Sequence, residues 1–185
     1  MSWNANGIFK RIRQGDLATL LKQRDPDFLH VTEIKGAPTG RNSMQLAAAF
    51  KALGYCHAAW NWSVDTPGNH GSVVFCKYRL HVSYGLQTDT RQSKGEDVDG
   101  RTITCSFKDF TVVCTYTPCG TKLQPDERRK TYDSRLRAHV ARLQARAGPD
   151  KVFLVGDRNV APRAKDCSAH PTVQPGIISC RPSER

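Results

Sequence analysis

The sequence lacks the features that mark a membrane-bound or secreted protein. No apolar run approaches the about 20 residues that a membrane-spanning helix requires. The N-terminus has no basic stretch followed by an apolar one, so no secretory signal is predicted. There is no Cys-x-x-Cys pair, and the seven cysteines are odd in number and scattered. We therefore expect reduced thiols, no membrane partner and an intracellular location, in the nucleus of a eukaryote or the cytoplasm of a bacterium.

Acidic residues are also scarce. The 185 residues include 17 Asp and Glu against 28 Lys and Arg, which gives a net charge of +11. The basic residues recur in short groups along the chain, at residues 10–13, 128–130, 135–146 and 158–165. A positive field of this size favours polyanions, with nucleic acid as the leading candidate. Charge alone is explained as well by a basic, solvated surface.

Apolar periodicity predicts helices and short strands in irregular alternation. Helices are indicated with Asp16 and Ser43 as N-caps, and from Pro125 to Gly148. The apolar residues expected to face inward are Leu46, Phe50 and Leu53 on the second helix and Tyr132, Leu136, Val140 and Leu143 on the third. Strand-like runs cover residues 28–32, 72–76 paired with 79–84, 101–107 paired with 111–116, and the buried type of run at 151–155. This pattern favours a single mixed α/β layered domain rather than a doubly wound parallel sheet.

Polar residues follow several of the predicted strands. Asn4 and Asn6 are two apart on an extended segment, Glu33 ends a strand, and Asp157 and Asn159 follow the buried one. Carboxylate and amide oxygens suit magnesium, which binds through one or two carboxylates together with substrate phosphate. Such a site fits metal-assisted phosphodiester hydrolysis. Each residue alone has a structural explanation, and a single Gly-Asp-x-Asn is more often a capped turn.

The ordered set of motifs resembles the exonuclease III family of AP endonucleases. The resemblance implies an α/β fold, a four-layered sandwich of the endonuclease/exonuclease/phosphatase type over residues 1–185. It also implies Mg²⁺, with Mn²⁺ as an alternative, double-stranded DNA with abasic sites as partner, and a monomer. The matching segments are Ser2-Trp3-Asn4-x-Asn6-Gly7, Thr32-Glu33-Ile34-Lys35, Asp99-Gly100-Arg101, Tyr116-Thr117-Pro118 and Gly156-Asp157-Arg158-Asn159-Val160-Ala161-Pro162.

The resemblance also implies roles for individual residues. Hydrolysis of the phosphodiester 5′ to an abasic site is the expected reaction, with 3′-5′ exonuclease or 3′-phosphodiesterase activity as related options. The implied metal ligands are Asn6, Glu33, Asp157 and Asn159; the implied catalytic residues are Tyr116, Asp157 and Asn159; the supporting residues are Asn4 and Asp166; and the implied DNA contacts are Arg128, Arg129 and Arg158.

Two departures from the family pattern keep alternatives open. Members of the family continue past a segment that residues 181–185 resemble, to a final Ser-Asp-His motif and closing strands, so we expect a sandwich that lacks its C-terminal strands. Cys119 stands where the family has an asparagine. A catalytically impaired, nucleic-acid-binding remnant is therefore the alternative. A phosphoinositide phosphatase, a deoxyribonuclease I-like enzyme or a retroelement endonuclease is a weaker option, against which Asp99-Gly100-Arg101 argues.

Overall fold

The computed structural model describes residues 1–36, 41–64, 66–86, 98–119 and 126–160. Within them, none of the helices is long and apolar enough to cross a membrane. The elements in chain order are β1 (Ser2–Asn4), α1 (Ile8–Arg13), α2 (Asp16–Arg24), β2 (Phe28–Thr32), α3 (Arg41–Ala52), β3 (His57–Asn61), β4 (Ser72–Cys76), β5 (His81–Tyr84), β6 (Thr102–Ser106), β7 (Thr111–Tyr116), α4 (Asp126–Ala147), a 3-10 turn (Pro149–Lys151) and β8 (Val152–Asp157).

The strands form two four-stranded sheets. The first has the order β1-β2-β4-β3, in which β1 and β2 are parallel and the other pairs are antiparallel. The second has the order β5-β6-β7-β8, in which only β7 and β8 are parallel. Each sheet therefore ends in a parallel pair whose carboxyl ends lie at one edge.

Alternation along the strands separates the interior into layers. In β4, Val73 and Phe75 pack with α1, α2 and α3, whereas Val74 and Cys76 face the second sheet. In β7, Val113 faces α4 in the same way, beside the buried Leu136. Helices thus cover the outer face of both sheets, and the predicted four-layered α/β sandwich is confirmed for the described residues.

Three cysteines lie in the interior of the sandwich. Cys76, Cys105 and Cys114 are fully buried between the sheets, and all three are free. Burial raises the pKa of Cys76 and Cys114, so both remain neutral core side chains at neutral pH.

Several local predictions were wrong. The residue before α2 is Gly15, so Asp16 lies in the first turn and does not cap it. Helix α3 begins two residues before Ser43, and Leu53 lies beyond its end with 56% exposure. No element was predicted where α1 and β3 lie, so both were missed.

Two predictions about strand environment also need correction. β4 and β5 are separated by only four residues but lie in different sheets, so the predicted pairing of 72–76 with 79–84 is wrong. The pairing of β6 with β7 is confirmed. β8 was predicted to be buried, but Phe153 is 51% and Leu154 38% exposed, because β8 has a single strand neighbour among the described residues.

His30 makes the stability of this fold dependent on pH. It is fully buried on β2, with Nδ1 3.2 Å from the Ser2 hydroxyl and no partner for Nε2 among the described residues. Burial, helped by the N-terminal ammonium, lowers its pKa from 6.5 to about 3. Between pH 6.5 and about pH 3, His30 is protonated in the unfolded chain but neutral in the folded protein. Stability is therefore lost as the pH falls below 6.5.

We expect the free energy of unfolding to fall by about 1–2 kcal/mol between pH 7 and pH 5 through this residue, at 1.36 kcal/mol per pKa unit. Urea unfolding at both pH values measures the change in wild type and in His30→Asn, in which this loss should vanish. His81→Asn removes an exposed imidazole from β5 as the control. An equal pH dependence in wild type and His30→Asn would contradict the assignment.

Candidate active site

The two parallel strand pairs bring four separate segments of the chain together. Register places Asn4 opposite Thr32 in the first sheet and Tyr116 opposite Asp157 in the second. β1 and β2 both contact β8, so the carboxyl ends of all four strands meet at one end of the sandwich. Asn4, Glu33, Tyr116 and Asp157 lie there, as the strand-end interpretation predicted.

The amide of Asn4 joins the two carboxylates. Its Nδ2 donates to Glu33 Oε1 and to Asp157 Oδ2, each at 2.8 Å. Its Oδ1 accepts from the backbone N–H of Asn6 at 3.0 Å, which holds the amide in this orientation. A donor shared between two acidic oxygens keeps both aimed at the same small volume.

A lysine ammonium lies beside the carboxylate of Glu33. The ammonium of Lys35 lies 3.0 Å from Glu33 Oε2 and 2.5 Å from Asn6 Oδ1. Burial tends to raise the pKa of Glu33, but the hydrogen bonds from Asn4 and Lys35 outweigh it and lower the pKa below its ordinary value. The Lys35 ammonium thus lies between a carboxylate oxygen and an amide oxygen. Magnesium uses these same two kinds of oxygen as ligands.

The described residues contain no group of three or more His, Cys, Asp or Glu arranged for a metal ion. Two carboxylates with an amide oxygen nevertheless match magnesium, which completes its shell with water and substrate phosphate rather than with a full protein cage. The residues present thus fit this ion. Zinc, which takes closed sites of Cys and His, is not favoured.

Tyr116 lies against Glu33 as a neutral phenol. Its hydroxyl donates to Glu33 Oε1 at 3.1 Å, and the guanidinium of Arg101 lies 4.8 Å from its ring centre. Burial and the nearby Glu33 carboxylate raise the pKa of Tyr116 well above its ordinary value. The residue is 6% exposed, and its hydroxyl lies at the site beside Glu33. It can therefore serve there as a hydrogen-bond donor.

Asp157 and Asn159 form both a turn and part of the site. Asp157 Oδ1 accepts from the backbone N–H of Asn159 at 2.9 Å, which leaves Oδ2 for Asn4. The side-chain amide of Asn159 donates to the Thr117 carbonyl at 2.7 Å and holds the end of β7. A Cβ on Gly156 would collide with the Thr115 carbonyl, so glycine is required before this acid.

Unusual backbone conformations concentrate at the site. Among the described residues other than glycine, five have positive φ, and four of them border the site: Asn6 at 46°, Glu33 at 52°, Lys35 at 48° and Asn159 at 48°. Such conformations cost stability and persist where surrounding contacts hold them, which is typical of functional sites. The prediction that Asn4 and Asn6 lie on one extended segment is therefore wrong, although both side chains reach the site.

Arg129 was predicted to contact DNA but is buried. It is 5% exposed, and its guanidinium donates to Asp133 at 2.7 Å and to the carbonyls of Pro118, Arg158 and Asn159 at 3.0 to 3.3 Å. These bonds tie α4 to the segments after β7 and β8. This geometry suits a residue that positions the site more than one that contacts a phosphate directly.

The other two arginines reach solvent. Arg158 is exposed, and the side chain of Arg128 is 43% exposed while it contacts Asp99. Asp166, predicted to support the site, lies outside the described residues.

A buried ion pair supports Tyr116 and was not assigned a role by the sequence. Arg101 donates from Nε to Asp99 at 2.8 Å and from Nη1 to the Tyr116 carbonyl at 3.2 Å. Burial raises and Arg101 lowers the pKa of Asp99, and the net shift is downward, so the pair is ionised. The His70 ring also lies beside Tyr116, with the two ring centres 6.0 Å apart. The Asp99-Gly100-Arg101 motif was the only signal of this arrangement.

Fold and site together define the class. This is a four-layered α/β sandwich that carries carboxylate, amide and tyrosine groups at the end of its sheets. The chain belongs to the Endonuclease/Exonuclease/phosphatase family, whose model matches residues 1–173.

Individual relatives agree with this assignment. The chain is 34% identical over 163 residues to DNA repair nuclease APEX1 of Danio rerio, covering 86% of this chain and 48% of that protein. It is 30% identical over 163 residues to an exodeoxyribonuclease of Bacillus subtilis, covering 87% and 58%. The chain thus spans about half the length of the curated relatives it matches.

A solved structure supports the fold. A 3′-5′ exonuclease (NExo) from Neisseria meningitidis matches with a TM-score of 0.78 at 24% identity, over 100% of this chain and 66% of that one.

Proposed function

We propose that this protein is a divalent-metal-dependent DNA repair nuclease that hydrolyses the phosphodiester bond 5′ to an abasic site. The observation that carries the proposal is the Asn4 amide, which holds Glu33 and Asp157 together from segments more than 100 residues apart. The similarity to a DNA repair nuclease and an exodeoxyribonuclease supports a DNA substrate. The net charge of +11 suits a polyanion.

Glu33, with Asn6 beside it, is the proposed holder of the metal ion, and Mg²⁺ is the ion that the oxygen donors favour. When bound, this ion neutralises charge that develops on the phosphate. Lys35 occupies the same pair of oxygens and therefore has to share or yield that position.

Asp157 is the proposed general base. Both of its oxygens accept hydrogen bonds, from Asn159 N–H and from Asn4 Nδ2, which fixes the plane of the carboxylate. Oδ2 faces the volume shared with Glu33, so a water there can give its proton to Oδ2 as its oxygen bonds to phosphorus. The bond from phosphorus to the 3′-oxygen breaks, and that oxygen takes a proton from solvent to become the 3′-hydroxyl. Tyr116 is proposed to donate its hydroxyl proton in a hydrogen bond to a phosphate oxygen. Asn159 orients this arrangement through Asp157 and Thr117.

A single experiment tests the proposal. The 185-residue chain is incubated with Mg²⁺ and a labelled duplex that contains one abasic site, and we expect a nick on the 5′ side with a 3′-hydroxyl product. An undamaged duplex and a chelated reaction are the controls. Degradation of a recessed 3′ end, measured in parallel, reports the related exonuclease activity. Binding of the abasic duplex without any nicking would overturn the proposal.

That outcome would favour a nucleic-acid-binding protein without turnover. The specific observations for this second candidate are Cys119, which stands after Pro118 where the resembled family has an asparagine, and the Lys35 ammonium between the proposed metal-binding oxygens. Restoration of nicking by Cys119→Asn would assign the defect to this position.

A further inference from the structure

Helix α4 has an unusual distribution of charge. Its last 14 residues, 134–147, contain four arginines and no acidic residue. Arg135, Arg137 and Arg146 are exposed, and none of them makes an ion pair with another described residue. Exposed guanidinium groups without an acidic partner are available to an external anion such as phosphate.

Three of the arginines on α4 lie in one line. Arg128 and Arg146 are 18 residues apart, which is about five turns at 3.6 residues per turn, so they project from the same side. Arg135 deviates from this line by about 20°, because seven residues fall slightly short of two turns. Arg137 projects from the opposite side. The line from Arg128 to Arg146 extends about 27 Å at 1.5 Å per residue.

This arginine line, formed by Arg128, Arg135 and Arg146, starts at the candidate active site. Arg128 contacts the carboxylate of Asp99, which also holds Arg101 beside Tyr116. Arg101, Arg128 and Arg135 share the wall of a cavity of about 360 Å³. The cavity therefore connects the site with the first part of the line, and Arg146 extends the line towards the C-terminal end of α4.

We propose that the arginine line is a second nucleic-acid contact, which binds the phosphate backbone of duplex DNA outside the position of cleavage. One strand carries a phosphate about every 3.4 Å, so the line matches the rise of about eight nucleotides. Guanidinium groups bind phosphate oxygens in a forked geometry and do not read the bases. The line adds affinity without sequence preference, and it goes beyond the proposed cleavage chemistry because it includes none of the residues that carry it.

The test compares two double variants of equal charge on the same helix. Arg135→Gln with Arg146→Gln removes two members of the line, whereas Arg137→Gln with Lys130→Gln removes two charges from the opposite side. Lys130 pairs with Glu127 at 3.3 Å, but both side chains are largely exposed and this pair contributes little to stability. Binding to an undamaged 30-base-pair duplex is measured in a chelating buffer across a salt series, with thermal melting as a check on folding.

We expect the line variant to lower the slope of log affinity against log salt by about 1.8, since each phosphate contact contributes about 0.9. At low salt its affinity should fall by roughly tenfold or more, with a much smaller change in the control. Equal losses in both variants, which indicate only a general effect of net charge, would overturn the proposal, as would unchanged binding in the line variant. Because no cleavage is measured, the line can stand if the protein fails to nick DNA, and can fail while nicking persists.

Discussion

Asp157→Asn is expected to lower the rate of abasic-site cleavage by about 10²–10⁴-fold, the usual contribution of a positioned general base. The substitution removes the group that accepts the proton but keeps the size of the side chain. An amide oxygen can still accept the hydrogen bond that Asn159 N–H now gives to Oδ1 at 2.9 Å, so the turn after β8 should persist. The loss should therefore appear in the chemical step and not in folding.

Single-turnover nicking at saturating Mg²⁺ measures this effect. Asp150→Asn is the matched control, because Asp150 is an exposed acid in the turn at the opposite end of β8. Thermal melting of both variants should stay close to wild type, and more metal should not restore the Asp157→Asn rate. A rate for Asp157→Asn within a few-fold of the control would remove Asp157 from the role of base.

The part of the site predicted from the sequence is the part that strand geometry determines. Glu33 and Asp157 each follow an apolar strand, and parallel strands deliver their carboxyl ends to one edge of a sheet. The sequence could not show that Asn4 joins these two carboxylates, because its partners lie 29 and 153 residues away. That contact depends on how one sheet stacks on the other.

The errors have a related physical origin. β4 and β5 resemble a hairpin in sequence, yet residues 77–80 carry the chain from one sheet to the other. Local alternation does not specify the partner of a strand. Arg129 resembles a surface residue, but Asp133 and the carbonyls of distant segments accept its hydrogen bonds and make its burial tolerable. Asn6 has a φ of 46°, a conformation that residue spacing does not reveal.

The buried faces of the helices in the outer layers could be predicted from the sequence more fully. Leu46 and Phe50 are buried on α3, and Leu136 is buried on α4, as periodicity predicted. An amphipathic helix contains within its own sequence the pattern that decides which face is buried. The short α1 has no comparable signal, since it has six residues and no side-chain cap.

Glu33→Gln is expected to weaken binding of the divalent ion by about a hundredfold or more, since even outer-shell partners of a metal contribute 10–100-fold. The substitution keeps an oxygen that can accept from Asn4 and Tyr116 but removes the negative charge that now holds the Lys35 ammonium at 3.0 Å. A neutral amide attracts a divalent cation far less strongly than a carboxylate does.

Direct titration of the apoprotein with Mn²⁺, followed by calorimetry or electron paramagnetic resonance, measures this loss without any dependence on cleavage. Glu127→Gln is the matched control, because its side chain is 79% exposed on α4. Nicking by Glu33→Gln should recover partly at high metal concentration, since the general base is retained. Asp157→Asn should show the opposite behaviour, with a low rate that more metal does not change. Unaltered Mn²⁺ affinity in Glu33→Gln would place the metal elsewhere, and recovery of both variants by metal would assign both carboxylates to binding the ion.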